Sequence, residues 1–286
     1  MKVGVIGAGA WGTALAITAA RGGADVVLWS YDGIHKDFEN VEMPENIHIT
    51  SDMQEMHDMD TWLVVTPGEF FRETMRKARD TYNGQPVIIC TKGAESATGQ
   101  FMSEILNTEI PECVDFGFLS GPQFAAEVAL GVPTGSTLAG THNAIVAGQG
   151  ALNKLYLEVS DDIVGTQVCG VGKNAVALIC GYNSVKCAEN ERALIFTRAW
   201  NEVMAIGMAM GGQMRTFLGL CGIGDLFLSA TSATSRNFAG GVAIANGTPP
   251  QGTVEGIYAL GGLVSRAQDL GIDTPILIEM KKKLCK

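Results

Sequence analysis

Residues 3–29 read VGVIGAGAWGTALAITAARGGADVVLW. Val3-Gly4-Val5-Ile6 is a short apolar run bounded by glycine, as a strand buried on both faces of a parallel sheet requires. Residues 11–21 (WGTALAITAAR) read as a helix, and Gly22-Gly23 supplies its stop. Asp25 to Trp29 (DVVLW) is the second strand. Strand, helix and strand at this spacing make a right-handed βαβ unit. At its first turn stands Gly7-Ala8-Gly9-Ala10-Trp11-Gly12, a GxGxxG. Alone the pattern is weak, but between a strand and a helix it points to a dinucleotide. Gly7 allows the tight turn, Gly9 lets backbone approach a pyrophosphate, and Gly12 lets helix and strand pack closely. The helix amino terminus adds unpaired N–H groups and the positive end of its dipole.

Outward from this unit, Trp62–Val65, Pro86–Cys90 (PVIIC), Phe116–Leu119 and Ser136–Ala139 read as further buried strands. Near Gly165 the period changes. Residues 190–210 (NERALIFTRAWNEVMAIGMAM) fit one long helix, and 253–270 and 275–285 fit two more, the last reaching Lys286 without a cap. The expected fold is therefore α/β: a Rossmann-type doubly wound sheet over residues 1–165, then an all-α domain over 166–286 that holds the substrate. No internal repeat or low-complexity segment interrupts either half.

Composition narrows the class. Of 286 residues, 47% are hydrophobic and 17% charged, against about 25% charged in ordinary domains. Such a chain buries a sizeable core and is not disordered. Twenty basic and thirty acidic residues leave a net charge of −10, which argues against nucleic acid or anionic lipid as partner. Glycine stands out at 36 residues, nearly twice the usual share of about 7%, and without the three-residue period of collagen. The seven cysteines have no CxxC spacing and sit mostly in apolar runs, so reduced, buried thiols are expected. His35, His48, His57 and His142 have no metal-ligand spacing, and no metal site is expected. The amino terminus lacks the pattern of a signal peptide, and no window of about 18 apolar residues is free of charge. The reading is a cytoplasmic protein without integral membrane association.

Three segments carry polar groups in small-residue surroundings. Lys173-Asn174 lies in GVGKNAVALIC. A lysine on a helix near a core has its pKa lowered, whereas one that snorkels to solvent does not. Asp225 lies in the apolar stretch LCGIGDLFLSATSATSRN and needs a partner. The hydroxyls of Ser229, Thr231, Ser232 and Ser235, followed by Arg236 and Asn237, suit a phosphate cradle, or else an ordinary Ser/Thr-rich turn. Thr91-Lys92-Gly93 follows PVIIC, at the carboxyl end of a parallel strand, where α/β ligands bind. Glycines accompany these groups: Gly93, Gly121, Gly172, Gly222 and Gly224 mark expected places of close ligand approach or of turns that exclude a Cβ. After the second strand, Ser30-Tyr31-Asp32 offers an acid and no arginine, which leans towards NAD over NADP.

Read in order, GAGAWGTALA, VVTPGEFFRETM, TKGAE, LSGPQFAAEVALGVPT, GVGKN, NERALIFTR, GIGDLFLSATSATSRN and TVEG resemble the bacterial NAD(P)-dependent glycerol-3-phosphate dehydrogenase family, from residue 3 to about residue 280. The resemblance implies an oxidoreductase that interconverts dihydroxyacetone phosphate and sn-glycerol 3-phosphate by hydride transfer with NAD(P)H, usually for phospholipid synthesis. It implies NAD as cofactor with NADP as the second option, a small phosphorylated substrate, and a homodimer. By position, Lys173 becomes the acid/base, supported by Lys92 and Asp225. Gly121, Gln123, Asn174, Ser229, Arg236 and Asn237, with Lys92, match the substrate site. Gly7, Gly9, Ala10, Trp11, Gly12, Ser30, Tyr31, Phe71, Lys92, Ala125, Arg236 and Glu255 match the cofactor site. Phe71 matches an aromatic that lines the cofactor cleft, and Glu255 one near the nicotinamide end.

The chain departs from that pattern in places. It is shorter than most members, around residues 40–46 and after Lys286. Gln123 stands where Ser or Thr is common. CGYNSVKCAEN, residues 180–190, replaces a glycine-rich stretch, and no second basic residue follows Ser235-Arg236-Asn237. Two other readings therefore stand beside the main one. A sister dehydrogenase of another small anionic carbonyl compound differs in substrate. A dinucleotide sensor without turnover is disfavoured, because it has no use for Lys92, Lys173, Asp225 and Arg236 together.

Overall fold

The computed structural model describes residues 1–95 and 98–285. The chain forms two compact units. The first comprises Met1–Thr91, Met102–Leu119 and Gln123–Ile163; the second comprises Lys92–Phe101, Ser120–Pro122 and Val164–Lys286. Two short segments of the amino-terminal half, one carrying Lys92 and one carrying Gly121, thus belong to the second unit.

Among the described residues the first unit is built on eight strands: β1 (Lys2–Ile6), β2 (Asp25–Trp29), β3 (Ile47–Thr50), β4 (Thr61–Val64), β5 (Val87–Ile89), β6 (Phe116–Ser120), β7 (Gly135–Gly140) and β8 (Tyr156–Ser160), in the order β3-β2-β1-β4-β5-β6-β7-β8. The pairings from β3 through β6 are parallel, as is β7 with β8. Ile6 of β1 lies beside both Trp29 of β2 and Val64 of β4. The strand order therefore reverses between β1 and β4, the point at which open α/β sheets bind ligands.

Side chains alternate across the sheet. Leu63 joins Val3, Val5 and Leu28 on one face, under α1 (Ala10–Arg21). Trp62 and Val64 join Ile6 on the other, under α2 (Gly68–Ala78) and α3 (Met102–Glu109). Each such buried side chain contributes about 1.5–3 kcal/mol over its exposed state. Two further helices, α4 (Ala125–Leu130) and α5 (His142–Ala151), complete this unit. The strands absent from the sequence reading are β3 and β8, the two edges of the sheet. Their residues are half exposed, as in Tyr156 at 65% and Val159 at 49%, so they lack the continuous apolar run that marks a buried strand.

The second unit is helical: α6 (Ile163–Lys186), α7 (Glu189–Ala209), α8 (Met214–Phe217), α9 (Asp225–Thr231), α10 (Arg236–Ala245), α11 (Glu255–Asp269) and α12 (Pro275–Leu284), with a π-turn at Leu220–Gly224. The reading of a helix running on to Lys286 extends, at that last position, outside the described residues. Among the described residues α6 is the one single helix long and apolar enough to cross a membrane, with mean hydropathy 1.4, yet 83% of that window is buried inside the protein. It is the central core helix, packed with Val203, Phe217 and Leu260.

Glycine explains how closely the helices approach. A methyl group at Gly172 would overlap Val203 of α7, and one at Gly181 would overlap the Phe238 carbonyl of α10. One at Gly241 would meet the Leu178 carbonyl, and one at Gly256 would lie 2.5 Å from the Asn174 carbonyl. Gly222 abuts the backbone of Phe217. Gly172 and Gly222 therefore serve contact between protein segments. Glu202 of α7 is buried, and its carboxylate accepts the N–H groups of Ile276 and Leu277, both at 2.9 Å. It caps α12, a task that its own N-cap residue, Thr274, does not perform.

Candidate active site

In the first unit the turn from β1 to α1 is fixed by Gly7, whose φ is +115°. A Cβ at Gly12 would overlap the Gly7 carbonyl, so helix and turn touch backbone to backbone. Gly9 is the N-cap of α1, and a Cβ there would meet nothing within 4 Å. No side chain caps the helix and its first turn holds no acid. The N–H groups of this turn, including those of Ala10 and Trp11, lack helical acceptors and suit a pyrophosphate. A second feature lies beside them at the carboxyl end of β4. Thr66 packs its backbone against Gly7, and its buried hydroxyl has no hydrogen-bond partner among the described residues. An orphan hydroxyl at the switch point fits a dinucleotide as partner. The sequence reading passed over it, although the rule that located Lys92 after β5 applies equally after β4.

At the end of β2, Tyr31 is 76% exposed, with the Lys77 ammonium 4.7 Å above its ring. Ser30 donates to Asp32 Oδ1 at 2.8 Å, and the Ile34 N–H donates to the same oxygen at 3.1 Å. Phe71 lies wholly in the core beside Met75 and Ile105. A ring closed off on all sides offers no face to a ligand. Its neighbour Phe70 is 53% exposed, and the adjacent aromatics of FFRE gave no sign of which one turns inward. Gln123 accepts the Ser136 hydroxyl at 2.6 Å, and its amide nitrogen has no partner among the described residues. Ala125 is the first residue of α4.

In the second unit the polar groups form two linked clusters. Asp225, the first residue of α9, is wholly buried and holds two lysines. Lys92 Nζ lies 2.7 Å from its Oδ2, and Lys173 Nζ, from the middle of α6, lies 2.9 Å from its Oδ1. Lys173 also donates to Ser229 Oγ at 3.0 Å, one turn along α9, and Lys92 donates to the Gly121 carbonyl at 3.3 Å. Burial pushes the Lys173 pKa down and the charge of Lys92 adds to this, while Asp225 opposes them; the net direction is down. Burial alone would raise the Asp225 carboxyl, but the two ammonium groups outweigh it and hold it below the ordinary carboxylate range.

In the adjoining cluster Asn174 donates to Glu255 Oε2 at 3.1 Å and accepts from Asn237 Nδ2 at 2.9 Å. Asn237 Oδ1 in turn accepts the Gly256 N–H at 2.8 Å. The chain of bonds ties α6, α10 and α11 together. Arg236, in the first turn of α10, stays 72% exposed, its Nη2 only loosely paired with Glu255 at 4.0 Å. Ser235 caps that helix by accepting the Phe238 N–H. Among the described residues no group of three or more His, Cys, Asp or Glu could hold a metal ion.

Comparison with known proteins finds relatives for each unit. Residues 2–146 match the family model of the NAD-dependent glycerol-3-phosphate dehydrogenase N-terminus, and residues 162–286 match that of its C-terminus. The chain is 39% identical to a glycerol-3-phosphate dehydrogenase [NAD(P)+] of Paramagnetospirillum magneticum, over 83% of this chain and 92% of that one. It is 34% identical to that of Parvibaculum lavamentivorans, over 96% and 89%. The crystal structure of glycerol-3-phosphate dehydrogenase from Coxiella burnetii superposes with a TM-score of 0.90 at 28% identity, covering 99% of this chain and 94% of that one.

Proposed function

This chain belongs to the NAD-dependent glycerol-3-phosphate dehydrogenase family, and we propose that it interconverts dihydroxyacetone phosphate and sn-glycerol 3-phosphate with NAD(H) or NADP(H). The observation that carries the reading is the Lys92–Asp225–Lys173 triad, which puts an ammonium of lowered pKa on a fixed carboxylate. The dinucleotide, held by Gly7, Gly9, Ala10, Trp11 and Gly12 with Tyr31 and Thr66, supplies hydride chemistry at its nicotinamide. As the ketone carbon gains hydride, its oxygen gains negative charge. Lys173 Nζ gives that oxygen a proton and becomes a neutral amine; in the reverse direction the amine takes the proton of the alcohol. A pKa below the ordinary lysine value brings the group nearer to neutral pH, where both roles are efficient. Lys92 adds positive potential to the developing oxyanion. Asp225 stays ionised and orients both lysines, and Ser229 fixes the direction of Lys173.

Arg236 and Asn237, in the first turn of α10, are assigned to the substrate phosphate. Arginine matches phosphate with two parallel donors, and the loose contact with Glu255 leaves the guanidinium free to turn. Asn174 and Glu255 hold that corner by their mutual bond. Gly121 and Gln123 are read as the remaining substrate contacts, with Ala125 on the cofactor side. The same reading includes a homodimer, a cytoplasmic location and a role in supplying phospholipid backbones; light scattering on the purified protein tests the first.

The deciding experiment follows NADH oxidation with dihydroxyacetone phosphate, unphosphorylated dihydroxyacetone and a panel of other phosphorylated carbonyl compounds. Dihydroxyacetone phosphate should give the highest kcat/KM. Arg236→Ala should raise its KM and leave the weak use of dihydroxyacetone unchanged. A better substrate elsewhere in the panel would overturn the assignment.

A further inference from the structure

We propose that Lys36 reads the 2′-phosphate of the dinucleotide, so that this chain takes NADPH at least as well as NADH; the inference rests on the dehydrogenase reading of the glycine loop. An acid after the second strand usually signals selection for the ribose 2′-hydroxyl. Here Asp32 has another task. Its Oδ1 accepts both the Ser30 hydroxyl and the Ile34 N–H, and the Ser30 bond comes first among the causes that hold its carboxyl below the ordinary range. The Ser30 hydroxyl lies, in addition, 2.6 Å from the Ile34 carbonyl. Asp32 and Ser30 thus build a tight turn over residues 30–34.

That turn sends the chain back onto the phosphate-binding loop. The Lys36 N–H lies 3.2 Å from the Ala8 carbonyl and 3.3 Å from Thr13 Oγ1. Ala8 is inside the GxGxxG and Thr13 is in the first turn of α1, so the stem of Lys36 starts beside the cofactor loop. The neighbouring basic side chains are engaged. His35 Nε2 is 3.1 Å from Asp37, and Lys77 Nζ is 3.1 Å from Glu73. Lys36 is exposed and has no acidic partner among the described residues. An ammonium without a carboxylate, on a loop pinned to the glycine turn, is disposed towards an anion. Lysine serves phosphate as a compact point charge on a flexible stem. Near the end of β2 the group that distinguishes the two cofactors is the 2′-substituent of the adenosine ribose.

The test is fluorescence titration of the full-length protein with NADPH and with NADH, without substrate. The wild type should bind NADPH no more weakly than NADH. Lys36→Met should raise the NADPH Kd about tenfold, as loss of one hydrogen bond to a charged group does, and leave the NADH Kd within about twofold. Lys36→Arg should keep NADPH binding, and added salt should narrow the difference between the cofactors. Equal weakening of both would assign Lys36 to the shared pyrophosphate and overturn the proposal, as would no change in either. A wild type that binds neither dinucleotide would instead defeat the dehydrogenase reading itself.

Discussion

Lys173 is a charge placed where the fold does not welcome it. Its side chain is 12% exposed, and a second ammonium shares its carboxylate. With a folded pKa below the ordinary 10.5, the protonated form costs stability at neutral pH, and the cost fades as pH rises through the folded value. Lys173→Met should therefore keep or raise Tm while kcat falls by about 10²–10⁴; a large drop in Tm would contradict this. Turnover should divide by direction. Ketone reduction needs the ammonium and should decline as pH rises through the lowered pKa, while alcohol oxidation should rise over the same interval. Parallel profiles in the two directions would remove Lys173 from the acid/base role. Asp225 has the opposite sign. Its stabilising contribution is present above the ordinary 3.8 and is lost as pH falls through its lower folded value. Asp225→Asn leaves two ammonium groups without a counter-ion and should cost about 3 kcal/mol, seen in denaturant unfolding. At this scale the sequence was informative about Lys173 and Asp225 because charge in an apolar stretch demands a partner. It could not distinguish Phe70 from Phe71, because adjacent residues of one helix share a composition and differ only in the face they occupy.

Among the elements, α12 depends on a neighbour for its start. The two N–H groups at its amino terminus are satisfied by Glu202, far away in sequence on α7. Burial raises the Glu202 pKa and the two N–H donors pull it back, with a net direction upwards. Glu202→Ala should remove about 1–2 kcal/mol, the usual worth of a lost cap, and should speed hydrogen exchange at Ile276 and Leu277 more than at the middle of α7. Uniform exchange throughout the unit would argue against a local cap. No sequence rule finds such a pairing, since capping patterns are searched within a few residues of the helix start. Three of the later helices were legible: α7, α11 and α12 begin and end within a few residues of their periodic patterns, whereas α6, hydrophobic on nearly every side, showed no such stripe. The interior strands were legible for the same reason, because β1, β2, β4, β5, β6 and β7 are near-continuous runs of apolar or small residues. The edge strands β3 and β8 were not, because an edge exposed on several residues resembles a loop.

On the scale of the whole molecule, each unit has its own core, so ligand binding and unfolding need not follow a single transition. Trp11, Trp29 and Trp62 belong to the first unit and Trp200 to the second. Dinucleotide at about 100 times its Kd should stabilise the unit that binds it by about 2.7 kcal/mol. Tryptophan fluorescence, weighted three to one towards the first unit by these residues, should show this shift, and its absence would place the cofactor elsewhere. The net charge of −10 sets a second condition. In the proposed reaction the helix end at Gly9 and Lys36 would draw in the dinucleotide, and Lys92, Lys173 and Arg236 the substrate, each against the long-range field. Composition disclosed that charge and the excess of glycine, but not where the glycines would act. Several turned out to lie on α6 or against it, at 172, 181, 241 and 256. A mutational scan of activity would accordingly light up positions that hold no functional group. One added methyl at any of them would press on the helix that carries Lys173, and under the proposed mechanism the proton donor would then miss its target with every polar atom of the site still in place.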